Sequence, residues 1–166
     1  MKNIKLFTRA TILSAPLLFA FATQPVWADA DAHDHHDLSS ATLELNQGQK
    51  WAIDAPLRQG MNAIHDSVAG AIEQIHANQM SASGYQQLTT EINEQLAYIF
   101  ENCELPADAD AQLHIVLANV MHDLEAVEGK AEDKSPTDGV VGIAQMLNSY
   151  GDFFDHQGWQ AIDLSH

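Results

Sequence analysis

Basic residues are scarce in this chain: seven Lys and Arg stand against 23 Asp and Glu in 166 residues, a formal charge of −16 with His neutral. Three of the seven, Lys2, Lys5 and Arg9, crowd the first nine positions, and only Lys50, Arg58, Lys130 and Lys134 follow. So acidic a chain repels nucleic acid and anionic membrane surfaces, and its attractions are to cations and basic proteins. Solubility alone accounts for many of the acids. Cysteine is nearly absent too. A lone Cys103 closes no internal disulfide, so in an oxidising compartment it is buried, ligated, or paired with a second chain as a homodimer. Also missing are a Cys-x-x-Cys-His motif, a Gly-rich phosphate loop, a Gly-x-Ser-x-Gly elbow and a pair of Glu-x-x-His motifs. Their absence argues against covalent haem, nucleotide use, hydrolase chemistry of the elbow type and a carboxylate-bridged di-iron bundle. No catalytic constellation is visible, and the chain reads as a non-enzyme.

Long hydrophobic runs are lacking as well. The apolar stretch from Ala10 to Phe21 falls short of the roughly 20 residues that span a bilayer. Its basic front and its exit through Val26-Trp27-Ala28 have the layout of a secretory signal. Residues 1–28 are therefore expected to be a cleavable signal peptide, cut after Ala28 or else after Ala30, that sends the protein to the periplasm. No cysteine near the junction supports a lipid anchor. The remainder keeps four basic residues against 23 acids, a formal charge of −19, and is one domain in size.

Within it, residues 29–40 alternate Asp and His, carry His33, His35 and His36, and have almost nothing apolar to bury, so this segment is expected to be disordered. Spaced imidazoles there can collect copper, nickel or zinc. Residues 41–53 read as an extended arm, turning at Asn46-Gln47-Gly48, that lays Leu43, Leu45 and Trp51 onto the domain.

From residue 54 to residue 166 helical spacing takes over. Leu57, Met61, Ile64, Val68, Ala71 and Ile75 form one stripe behind an Asp54 cap; Tyr85, Leu88, Ile92, Leu96, Ile99 and Cys103 form the next, opened by Ser81 or Ser83 and stopped before Pro106. Leu113, Leu117, Val120, Leu124 and Val127 mark a third, with His114 and Met121 on its shoulder. Val140, Ile143, Leu147, Tyr150 and Phe154 mark a fourth, ended by Gly158. No region is left over for a sheet. The fold expected is all-α, an up-down-up-down four-helix bundle with an extended N-terminal arm.

That topology brings the start of helix 1, the end of helix 2, the start of helix 3 and the end of helix 4 to one end, where Met61, Cys103, His114 and His156 become candidates to meet. Two imidazoles, a thiolate and a thioether suit copper, whereas zinc would use the His and Cys and ignore the Met. Each also has a plainer role: Met61 as core filler, Cys103 as an inert buried thiol, His114 as a hydrogen-bonded core histidine, His156 as a helix-end cation. Arg58, Asp108, Tyr150 and Asp155 fall nearby and are candidates to orient those ligands.

Met61 near the start of helix 1 and His156 near the end of helix 4 resemble the axial pair of the small periplasmic four-helix b-type cytochromes, which implies noncovalent haem b and electron transfer. A longer likeness runs through Leu43, Leu45, Asn46, Gly48, Lys50, Trp51, Asp54, Leu57, Arg58, Gly60 and Met61, then Cys103, Leu113-His114, Tyr150, Phe154-Asp155-His156 and Trp159. It is similar to a family of small exported proteobacterial proteins sometimes labelled DnrO-like, and implies an exported domain without supplying an activity. Three functions are thus expected in order: a non-catalytic periplasmic metal-binding protein, copper first, for binding, storage or delivery; a haem-binding electron carrier; and an acidic protein-interaction module without metal.

Overall fold

The apolar stripes become four helices in the computed structural model, which describes residues 41–165: α1 (Ala55–His76), α2 (Ala82–Asn102), α3 (Ala107–Val127) and α4 (Pro136–Phe153). The expected signal peptide and the segment with His33, His35 and His36 lie outside the described residues. Each helix begins where its sequence offers orphan amides a partner. Asp54 accepts from the Leu57 amide at 2.8 Å, Ser81 from Gly84 and Ser135 from Asp138, both at 3.1 Å. Helix α3 starts behind Pro106 with no side-chain cap, and Asp108 and Asp110 in its first turn face the positive end of the helix dipole instead.

The stripes meet in one core, in which Leu57, Met61, Ile64, Ile92, Ile99, Leu117, Ile143, Leu147 and Tyr150 are sealed from solvent. Val116 and Ile72, outside the strictest stripe, are buried with them, because the faces of α3 and α1 turned to the core are wider than one residue. Helix α1 packs closely along α2, and α3 along α4; α1 meets α4, and α2 touches α3 only sparsely. Close approach depends on small residues: a Cβ on Gly60 would lie 2.5 Å from Ile99 Cγ1, and one on Gly139 would lie 2.8 Å from the Asp123 carbonyl oxygen. The bundle is all-α with helices alternating in direction, so the α1 start, α2 end, α3 start and α4 end share one end. No helix among the described residues is long and apolar enough to cross a membrane.

Two chain segments clasp that shared end. Before α1, Asn46 and Gln49 exchange backbone bonds of 2.9 Å across a tight turn whose central residues, Gln47 and Gly48, both have positive φ. Trp51 then pairs in parallel with Phe154, its amide donating to the Phe153 carbonyl and its carbonyl accepting from Asp155, both at 2.8 Å. Leu43 and Trp51 reach the core, but Leu45 does not. It stands 42% exposed next to the turn, where the reversal of the chain lifts it off the helices.

Helix α4 stops at Phe153, earlier than Gly158, because pairing with Trp51 holds Phe154 extended at φ −115 and ψ 138. Gly158, at φ 86, turns the chain back along α1 and α4. There the Asn148 side chain donates to the Ile162 carbonyl at 3.0 Å and accepts its amide at 2.7 Å, and a His65 ring nitrogen lies 2.9 Å from the Gln160 carbonyl. Ile162 is buried as a result.

Candidate functional site

At the clasped end, one carboxylate ties two helices together. Asp54 caps α1 through Oδ1, while Oδ2 accepts the Glu104 amide at 2.7 Å just beyond α2. The Cys103 thiol leans on the same carboxylate. Burial, then the charge and hydrogen bond of Asp54, push that thiol up to about 12, so it stays protonated near neutral pH and is a weak nucleophile.

Tyr150 occupies the centre of this end. It is fully buried, stacks on Phe154 at 4.8 Å between ring centroids, and places its hydroxyl 3.0 Å from His156 Nδ1. Burial raises its phenol, and the nearby Arg58 charge opposes that rise. His156 is 6% exposed and lies 4.8 Å from the Trp159 ring. Burial, then Arg58 and His65, bring its imidazole down to about 4, so it is neutral at physiological pH. Trp159 lies in turn against Gly151, where a Cβ would overlap the indole, and 4.8 Å from His65.

The four residues expected to meet are therefore split. Cys103 and His156 both act on Tyr150, the thiol through its charge and the imidazole through the 3.0 Å contact. Met61 is sealed in the apolar core as filler, and His114 faces solvent on the outer side of α3. The reason for His114 is angular: adjacent residues on a helix diverge by about 100°, so a position beside buried Leu113 turns away from the core. Its Nδ1 sits 2.9 Å from the Asp110 carbonyl and 3.4 Å from the Asp110 carboxylate. No group of three or more His, Cys, Asp or Glu side chains among the described residues is placed to hold a metal ion. Of the Met61 and His156 pair, the Met61 side chain is enclosed by the core and His156 Nδ1 is engaged by Tyr150. Asp108 and Asp155 are exposed, and Arg58 acts on Tyr150 and His156.

A second feature at this end was not anticipated. Phe100 is 53% exposed, one position off the Ile99 stripe, and its ring lies 6.5 Å from that of His114. Around it in the chain, at the α2–α3 corner, come Glu101, Glu104, Asp108 and Asp110. Basic side chains are committed elsewhere: Lys130 to Glu128 at 2.5 Å, Lys134 to Asp123 at 2.6 Å, Lys50 to the Gly151 carbonyl at 2.5 Å, and Arg58 beside Tyr150. The sequence signal was an aromatic out of phase with its own stripe and bracketed by acids.

What fold and site define is an acidic up-and-down bundle with a plugged polar end and an acid-flanked aromatic on its surface. No protein-family model, curated protein or solved structure matches this chain.

Proposed function

We propose that the protein is a non-catalytic, exported binding module that docks a basic protein segment through the α2–α3 corner. Exposed Phe100 among Glu101, Glu104, Asp108 and Asp110 carries this reading. An aromatic anchor supplies affinity when it is desolvated, while acids around it steer a cationic partner and reject an anionic one. The test is binding of a synthetic Lys/Leu amphipathic helix, followed by fluorescence anisotropy at low salt. Phe100→Ser is expected to weaken it about fivefold or more, and a peptide of equal charge without leucines to bind correspondingly less. Binding indifferent to Phe100→Ser would reduce the effect to bulk charge and overturn the docking reading.

A second reading has one observation in its favour: Cys103 and His156, from different elements, both act on Tyr150, the first through its charge and the second through a 3.0 Å contact. A soft metal ion, copper before zinc, would be held there, with His33, His35 and His36 as accessory collectors. The raised thiol pKa and the Arg58 charge both oppose a cation, which is why this reading ranks second. Stoichiometric copper in the same preparation, lost in Cys103→Ser and His156→Ala, would reverse the order. A Soret band on haem addition would favour an electron carrier instead.

A further inference from the structure

The opposite end of the bundle holds a cleft that none of these readings uses. Helices α2 and α3 touch sparsely, and where they are farthest from their short connection the space between them opens into a cavity of about 500 Å³. Ala82, Tyr85 and Thr89 line it from α2, Val127 from α3, and Lys130 and Pro136 from the linker and the first turn of α4. Its volume falls in the range of small-molecule sites.

The lining specifies the chemistry of an occupant. Lys130 is paired with Glu128 at 2.5 Å, so the two charges at the rim cancel. The Tyr85 hydroxyl already has a partner in Thr137 at 2.7 Å. Thr89 differs: its hydroxyl is buried and has no hydrogen-bond partner in the protein. A buried hydroxyl without a partner is destabilising, because it has given up its bonds to water for none in the protein. Threonine in a helix has two accessible χ1 wells, so a rotation exchanges its methyl and hydroxyl at the cavity wall. We propose that this cleft binds a small, uncharged, mostly apolar molecule carrying one hydrogen-bonding group, which the Thr89 hydroxyl receives.

The probe that matches this description is N-phenyl-1-naphthylamine, which is neutral, apolar and has a single N–H, and whose fluorescence rises in apolar surroundings. Titration of the purified protein is expected to give a saturable one-to-one rise. Ala82 is exposed at the first turn of α2, so Ala82→Trp fills the mouth without disturbing the core, and is expected to weaken binding about tenfold. Thr89→Val is expected to weaken it about threefold or more while leaving the unfolding temperature equal or higher, because the variant loses an unpaired polar atom. The anionic analogue 8-anilinonaphthalene-1-sulfonate is expected to bind at least about tenfold more weakly. No saturable rise, a rise that survives Ala82→Trp, or equal affinity for the anion would each overturn the proposal. Loss of the signal in Phe100→Ser would do so too, by placing the probe at the acidic corner. Cleft and corner lie at opposite ends, so either assignment can fail without the other.

Discussion

An imidazole in water takes a proton near pH 6.5, but His156 cannot do so without setting a charge beside Arg58 in a buried aromatic nest. Its folded pKa of about 4 lies below the unfolded value, so between those two pH values the unfolded chain binds the extra proton. The stability that neutral His156 contributes is fully present above about pH 6.5 and is lost as the pH falls toward 4. Unfolding free energies from urea titrations at pH 7.5 and pH 4.5 are expected to differ by roughly 2 kcal/mol more in the native protein than in His156→Gln. Equal pH dependence in the two would show that the imidazole is already solvated. Tyr150 explains why the residue is tolerated inside at all: its hydroxyl satisfies Nδ1 at 3.0 Å.

Among the elements, the joint between α1 and α2 depends most on a single side chain. Asp54 bonds the Leu57 amide and the Glu104 amide at once and accepts from the Cys103 thiol. Asp54→Ala is expected to cost about 2 kcal/mol, a helix cap plus a second charged hydrogen bond. It is also expected to lower the Cys103 pKa, read as faster iodoacetamide alkylation at pH 8 and a leftward shift of its pH profile. A loss of stability without faster alkylation would mean that burial alone holds the thiol protonated. These elements were largely legible beforehand. The caps Asp54 and Ser81, the stop before Pro106 and the core positions from Leu57 to Leu147 follow from 3.6-residue spacing and cap chemistry. Spacing does not give rotation about a helix axis at the shoulder of a stripe, so it puts His114 at the right end of the bundle without showing that the ring turns to solvent. Nor does it give the tail after Gly158, whose burial of Ile162 depends on a non-local pair with Asn148.

For the molecule as a whole, charge decides more than any pair. Residues 41–165 hold 19 acids against four bases, and two of those bases form the ion pairs Lys130–Glu128 and Lys134–Asp123. Such an excess repels itself in the compact state and is screened within about 10 Å at 0.1 M salt. Raising NaCl from about 10 mM to 500 mM is therefore expected to increase the unfolding temperature by several degrees, whereas a protein stabilised by its ion pairs would lose stability. Calorimetry at the two salt levels separates the cases. The same screening should weaken the basic peptide at the Phe100 corner and leave the neutral probe in the cleft untouched.

The parallel pairing of Trp51 with Phe154 also sets how the protein meets mechanical force. Pulled from its two chain ends, the bundle first gives up the tail, as the Asn148 and His65 contacts to Ile162 and Gln160 peel off one by one. Tension then reaches the two 2.8 Å bonds that join Trp51 to Phe153 and Asp155. Parallel segments drawn from opposite ends slide past each other, so both bonds must break together. The helices are expected to stay shielded behind this clasp until it yields, which single-molecule pulling would show as one force peak before the helices extend.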